Sequence, residues 1–101
     1  TVETDPRDEG ANLDVYQATY GKIAQVRAAN NLKATIPSGE KRQLYQLSIT
    51  PVYPIYRRYY TTDTSGFIIE IDAGGILYIT PFSGNLAQGT AINFTETFLI
   101  K

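Results

Sequence analysis

The 101-residue sequence contains no cysteine and no histidine. Without cysteine, the chain has no disulfide, no thiolate nucleophile and no cysteine-ligated metal. Without histidine, it lacks the commonest general base and the commonest metal ligand, so Ser-His-Asp and Cys-His catalytic schemes are excluded. The composition therefore favours a binding or structural role over an enzymatic one.

Long apolar runs and an excess of one charge are absent too. No stretch of about 18 apolar residues is present, so the sequence predicts no membrane insertion. Nine basic and ten acidic residues give a formal net charge of −1, which favours neither nucleic acid nor an anionic membrane as a partner. The chain does not start with methionine and shows no signal peptide, so we expect an excised or processed domain of a longer protein.

The length and composition predict a single domain. Hydrophobic residues make up 43% and charged residues 19% of the chain, ordinary values for a folded protein. Residues 1–14 carry five carboxylates, a proline and a glycine without an apolar period, so we expect a linker or N-terminal arm. Residues 15–101 are expected to form the folded β-domain.

From Val15 onward, apolar residues mostly recur at every second position, which predicts β-strands. Residues 15–29 also contain good helix formers, but we favour strand because the remainder of the chain is β-rich. Asn30 and Asn31 predict a tight turn, so residues 22–36 are expected to form a hairpin. Further turns are expected at residues 36–41, 63–66 and 73–75.

Prolines at 51 and 54 bracket Val52 and Tyr53. Because proline cannot donate to a β-ladder, this segment is expected to be an edge strand, a bend or a crossing between sheets. About eight short strands separated by turns predict an all-β fold, a single small antiparallel β-barrel or sandwich.

The stretch PIYRRYY, residues 54–60, places two arginines among tyrosines. Side chains alternate along a strand, so each face carries one arginine. One face holds Tyr56, Arg58 and Tyr60, and the other holds Ile55, Arg57 and Tyr59. Because a buried unpaired guanidinium is costly, one face is expected to be an edge, an interface or a pocket wall. The alternative is that one tyrosine row packs in the core while an arginine pairs with a nearby carboxylate.

Glu70 and Asp72 are predicted to point outward from one strand, two residues apart. Such a pair formally suits a glycosidase, but on a strand it more often marks a solvated face, so we expect no catalytic residue. With Asp63, these are the carboxylates near one end of the predicted sheet, and the loops lack the pattern of a calcium site. We therefore expect no metal and no cofactor.

Two residues near the C-terminus have open interpretations. Phe82 is predicted to lie in a long loop, residues 81–89, beside small and amide residues. It is either an exposed platform for a sugar or an anchor that packs the loop onto the sheet. Glu96 interrupts the apolar face of the last strand, which places it near an edge or an intersubunit contact.

In the second half of the chain, the order of predicted turns and strands resembles that of a phage tail-fibre tip. DTSGFIIEI is followed by GGILYITP, then by a loop, then by the terminal strand GTAINFTETFLI. Over residues 32–101 the chain resembles the C-terminal head domain of a receptor-binding protein from a siphophage that infects lactic acid bacteria. Those heads have about this length, are rich in β-structure and lack cysteine.

The resemblance implies a homotrimeric β-barrel head at the virion tail tip. Such heads recognise saccharides of the host cell wall, often phosphate-bearing polymers, and join other tail or baseplate proteins through an upstream domain. The family's sugar pocket lies near a subunit boundary and uses an acidic residue, a histidine, an arginine and a tryptophan. This chain has neither histidine nor tryptophan, which implies a different sugar specificity.

Six residues are expected to contact the saccharide. Glu70 and Asp72 match the acidic role by type and strand position, and Phe82 matches the aromatic platform. Arg57, Arg58 and Tyr60 are added on their chemistry alone. The expected function is thus non-catalytic saccharide binding. The alternatives are a virion or baseplate assembly domain, whose tyrosines form a protein interface, and a carbohydrate-binding module of a secreted enzyme.

Overall fold

The computed structural model describes residues 2–4, 14–29, 31–32, 35–61 and 65–101. Over these ranges the chain forms eight β-strands and no helix, so the predicted all-β fold is confirmed. In the same residues, nothing helical is long and apolar enough to cross a membrane. The strands are β1 (Val2–Thr4), β2 (Asp14–Tyr20), β3 (Ile23–Ala29), β4 (Arg42–Gln46), β5 (Ile55–Tyr60), β6 (Gly66–Ile71), β7 (Ile76–Phe82) and β8 (Phe94–Leu99).

The strands form two antiparallel sheets of four strands each, in the orders β1-β2-β3-β8 and β4-β7-β6-β5. One continuous apolar cluster lies between them and takes side chains from both sheets, the arrangement of a β-sandwich. The sandwich alternative is therefore the one observed. The barrel implied by the family resemblance is not, because the strands of the described ranges do not close into one sheet.

The buried faces follow the alternation of the sequence. In β3 and β8, every second side chain is buried and the intervening ones are exposed. The two central strands of the second sheet, β6 and β7, supply most of the largest fully buried side chains on that side, and Phe67, Ile69 and Ile71 point inward as predicted. The core side chains of these four strands are Ala24, Val26, Ala28, Phe67, Ile69, Ile71, Leu77, Ile79, Phe94 and Phe98.

The proline-bracketed segment joins the two edges of the second sheet and contacts the first sheet on the way. It connects β4 to β5, which lie at opposite edges of the second sheet. On the way it contacts the end of β8 in the first sheet: the Val52 N–H donates to the Leu99 carbonyl at 2.9 Å, and Pro51 forms a β-bridge with Ile100. Of the three predicted settings, the segment adopts the bend, at Val52 and Tyr53, and β5 begins directly after Pro54 as an edge strand.

The predicted hairpin over residues 22–36 is wrong. Strand β3 pairs with β2 through a turn at Gly21, whose φ is 65°, and with β8 along its other edge. Both edges of β3 are occupied, so Asn31 bridges Ala91 and Ile36 bridges Leu86 instead. The predicted turn residue Asn30 lies outside the described residues.

The N-terminal segment contributes to the first sheet. Val2–Thr4, inside the predicted arm, pairs antiparallel with β2, and Asp14 is the first residue of β2. The part of the predicted arm between them lies outside the described residues. The turn predicted at 63–66 lies partly outside them too, including Asp63, although the Thr61 N–H donates to the Ser65 carbonyl across it at 2.8 Å.

The turn between β6 and β7 requires glycine at position 75. Gly75 has a φ of +85°, and a Cβ atom there would overlap the carbonyl oxygen of Ile49. The neighbouring Gly74 has no such constraint, since the nearest atom to its added Cβ is Asp72 Oδ1 at 3.4 Å. The two adjacent glycines therefore differ sharply in what they tolerate.

We expect Gly75→Ala to lower the free energy of unfolding by about 2–4 kcal/mol, because it adds both backbone strain and a steric overlap. Gly74→Ala is the matched control and should change the free energy by less than about 1 kcal/mol. Urea denaturation of both variants measures the difference. Equal stability of the two variants would contradict the turn geometry.

Candidate functional site

A buried carboxylate joins the two sheets beside β5. Glu96 lies on the inward face of β8 and is only 5% exposed. Its Oε1 lies 3.2 Å from Arg57 Nε, and its Oε2 accepts a hydrogen bond from the Tyr59 hydroxyl. Both partners come from β5, so the buried charge receives a counter-charge and a donor from the opposite sheet. Glu96 thus faces an edge strand, one of the two settings predicted for it.

Tyr59 packs into the core around this carboxylate. Its ring stacks on Phe67 with centroids 5.5 Å apart and meets Phe94 at 5.7 Å. Burial, with the hydrogen bond to Glu96, raises the pKa of the Tyr59 hydroxyl well above its ordinary value. The face of β5 that carries Arg57 and Tyr59 therefore contacts the buried Glu96. Of the two arginines on β5, Arg57 is the one that pairs with a carboxylate.

The other face of β5 is open to solvent. Tyr56 and Tyr60 are 58% and 61% exposed. Arg58 lies between them, and hydrogen bonds to Tyr60 and then Tyr56 raise the pKa of its guanidinium. Its Cζ lies 5.2 Å from the ring centroid of Phe82, within the range of a cation–π contact. In the described part of the chain, no carboxylate forms an ion pair with Arg58.

Phe82 ends strand β7 instead of lying in a loop. The register places Gly66 of β6 between Tyr60 and Phe82. Because Gly66 has no side chain, the two rings meet above it edge-to-face, with centroids 5.4 Å apart. A Cβ at position 66 would overlap the Tyr59 carbonyl oxygen, so glycine is required there. We call Tyr56, Arg58, Tyr60 and Phe82 the aromatic face.

Glu70 lies on the same side of the sheet, one strand in from the edge. It is directly opposite Tyr56 on β5 and Tyr78 on β7. Its Oε2 forms an ion pair with Lys41 Nζ at 3.0 Å, and the same Nζ lies 4.3 Å from the ring centroid of Tyr78. Glu70 is therefore adjacent to the aromatic face but already has a cationic partner.

Asp72 belongs to the turn between β6 and β7. Its Oδ1 accepts hydrogen bonds from the backbone N–H groups of Gly74 and Ile76, each at 2.9 Å. The Tyr78 hydroxyl lies 3.5 Å from Oδ2. Because these contacts hold the turn, Asp72 is a turn-stabilising residue in this structure and lies apart from the aromatic face.

The structure brings together three of the six predicted ligand residues: Arg58, Tyr60 and Phe82. Glu70 lies beside them. Arg57 is on the other face of β5, where its largely exposed side chain reaches Glu96, and Asp72 belongs to the turn. Tyr56 was missed in the predicted set. Strand alternation alone identifies it, because it precedes Arg58 by two residues on the same face.

The outer face of the first sheet has a different character. Tyr20, Ile23 and Leu99 lie opposite one another across three strands, and all three are exposed. We call them the apolar row. Further along, Arg27 lies over the Tyr16 ring with Cζ 4.8 Å from the centroid. This sheet therefore also carries an arginine over an aromatic ring, and among the described residues no second ring contacts that arginine.

The described residues contain no group of three or more metal-ligating side chains placed to hold a metal ion. In the same residues, every buried side-chain nitrogen and oxygen has a hydrogen-bond partner. Comparisons with known protein families and with curated proteins find no match to this chain. The geometry of the aromatic face and the resemblance of residues 32–101 to a phage receptor-binding head are therefore the observations that bear on function.

The raised pKa of Tyr59 predicts a loss of stability at alkaline pH. A tyrosine whose folded pKa exceeds its unfolded pKa contributes stability that is complete below the unfolded value, about 10, and is lost as the pH rises toward the folded value. We therefore expect the free energy of unfolding of the wild type to fall more steeply above about pH 10 than that of Tyr59→Phe, by up to about 1.4 kcal/mol per pH unit.

Tyr56→Phe is the control, since it removes an exposed hydroxyl from the same strand and should keep the wild-type pH dependence. Urea denaturation across the alkaline range measures all three proteins, and ionisation of lysines and other tyrosines is common to them. At neutral pH, Tyr59→Phe should cost about 1–2 kcal/mol because Glu96 loses a donor. Identical alkaline slopes for the wild type and Tyr59→Phe would rule out the buried hydrogen bond.

Proposed function

We propose that this chain is a non-catalytic host-recognition domain of a phage tail receptor-binding protein, and that it binds cell-wall saccharide through the aromatic face. The observation that carries saccharide binding is the Arg58 guanidinium, which lies among three aromatic rings and forms no ion pair with any carboxylate of the described residues. Aromatic rings cover the apolar C–H face of a sugar, and a guanidinium donates to hydroxyl or phosphate oxygens. The phage assignment is supported by the sequence resemblance over residues 32–101.

The aromatic face is held in place before any ligand arrives. Arg58 lies between Tyr56 and Tyr60 on one face of β5, the Phe82 ring lies beneath its guanidinium, and the Tyr60 ring packs against Phe82. These residues lie on strands, which position side chains more firmly than loops do. Less side-chain freedom is then lost on binding.

The proposal includes a homotrimer at the virion tail tip that presents several such faces to one cell surface. Affinity at each face should be weak, with a Kd on the order of 10–1000 μM, and useful through multivalency. The saccharide contacts are assigned to Tyr56, Arg58, Tyr60 and Phe82, with Glu70 beside them. Arg57 and Asp72 are left out because Glu96 and the β6–β7 turn use them.

The test is binding to cell-wall polysaccharides purified from a panel of lactic acid bacteria. We expect the wild type to bind at least one of them, and Arg58→Gln to weaken that binding by about tenfold or more, because charge-assisted hydrogen bonds are lost. Arg27→Gln is the matched control: it removes an arginine that also lies over an aromatic ring, here Tyr16 on the opposite sheet. Absence of binding to every polysaccharide, or an equal loss in both variants, would contradict the proposal.

A second candidate function, a virion or baseplate assembly domain, is favoured by the apolar row. Three exposed apolar side chains, one on each of three adjacent strands, are typical of a protein contact. Val52, also exposed, is held next to Leu99 by its backbone hydrogen bond. This candidate assigns the chain's main contact to the first sheet, whereas saccharide binding uses the second.

If the apolar row is a contact between copies, Leu99→Asp should convert the oligomer to monomer, because a carboxylate is costly to bury in an apolar interface. Thr97→Asp is the control: it lies two residues earlier on the same strand and is also exposed. Light scattering gives the oligomeric state. A monomeric wild type, or an oligomer that survives Leu99→Asp, argues against assembly through this row. Arg58→Gln separates the two functions, since it should lose polysaccharide binding with the oligomer intact.

A further inference from the structure

We infer that the outer face of the second sheet binds a stretch of several linked sugars lying along the strands, because it carries a second contact cluster in line with the aromatic face. The second cluster consists of Lys41, Glu70 and Tyr78. This inference rests on the proposed saccharide binding and adds the size of the ligand and its direction on the sheet.

The register arranges the outward side chains of the sheet in three rows across the strands. The first row is Tyr60, Gly66 and Phe82, the second is Arg58, Ile68 and Thr80, and the third is Tyr56, Glu70, Tyr78 and Gln43. Neighbouring rows are two residues apart along each strand, so the first and third rows lie about 13 Å apart. The two outer rows hold the aromatic rings, and the middle row presents Arg58 between them.

The second cluster repeats the chemistry of the first. In the aromatic face, the Arg58 guanidinium lies over the Phe82 ring; in the second cluster, the Lys41 ammonium lies over the Tyr78 ring. The hydrogen bond to Glu70 raises the pKa of Lys41, so its charge is retained at neutral pH. Each cluster therefore offers an aromatic surface and a cationic donor, and Glu70 adds a carboxylate acceptor to the second.

Both charged groups of the second cluster remain accessible. The side chains of Lys41 and Glu70 keep 50% and 26% of their surface exposed while paired with each other. An exposed ion pair of this kind contributes little to stability, so a ligand can exchange one of its contacts at small cost. Sugar hydroxyls, which both donate and accept, suit an ammonium next to a carboxylate.

The spacing of the clusters sets the ligand's length. A single sugar ring is much shorter than the span of about 13 Å between the outer rows, so it does not reach Phe82 in the first row and Tyr78 in the third at the same time. A chain of about three linked sugars placed along the strands contacts Phe82 and Tyr60 at one end, Arg58 in the middle, and Tyr78 with Glu70 at the other. The outer face of the second sheet therefore matches the length of a short polysaccharide segment.

The test uses fragments of whichever cell-wall polysaccharide the wild type binds, released by mild acid hydrolysis and separated by length. We expect affinity to rise by about tenfold or more from the monosaccharide to fragments long enough to span both clusters, and then to level off. Lys41→Ala should weaken binding of the long fragments by about threefold to tenfold, because the ligand loses a cationic donor and the Tyr78 ring loses the ammonium that lies over it. It should leave binding of the monosaccharide unchanged.

Lys22→Ala is the control, since Lys22 is an exposed lysine in the β2–β3 turn and should have no effect at any length. An affinity independent of fragment length, or a Lys41→Ala variant that binds long fragments like Lys22→Ala, overturns the inference and leaves saccharide binding standing. An equal loss at every length also overturns it. If no polysaccharide binds to the wild type, both the inference and the proposed function fail.

Discussion

The burial of Glu96 is the constraint on which the rest of this structure depends. A carboxylate inside a sandwich core is expensive unless a cation and a donor reach it, and here both come from one strand of the opposite sheet. To supply them, β5 must direct Arg57 and Tyr59 toward Glu96, although the Arg57 side chain itself stays largely exposed. Alternation then directs the next arginine, Arg58, outward together with Tyr56 and Tyr60. A requirement of the core thereby determines which side chains the sheet presents to a ligand.

Much of the fold follows from local patterns. Period-two alternation identifies the buried faces of β6 and β8, and two prolines mark the bend at residues 51–54, because these effects act within a few residues. The hairpin expected at 22–36 failed for a different reason. Its turn signal at Asn30 is local, but the choice of β8 as the partner of β3 depends on a strand some seventy residues further along the chain. The choice between barrel and sandwich is non-local in the same way.

The site was predictable to the extent that strand geometry determines it. Alternation separated Arg57 from Arg58 correctly, but it does not say which of the two faces the core. That depends on Glu96, which is 37 residues from Tyr59 in sequence. Asp72 was predicted to be a ligand residue because the sequence around it does not distinguish a carboxylate free to bind a ligand from one that stabilises a turn. Phe82 joined the site only because Gly66, on the strand between, leaves room for its ring to reach Tyr60.

The most direct test of this division compares Arg57 and Arg58 within one sample. In isotope-labelled protein, the Nε–H groups of the two arginines give separate NMR signals that can be followed while a cell-wall polysaccharide is added. We predict that the Arg58 signal shifts or broadens, whereas the Arg57 signal, held on Glu96, stays in place. A moving Arg57 signal with an unmoved Arg58 signal would contradict the assignment of one face of β5 to the fold and the other to the ligand.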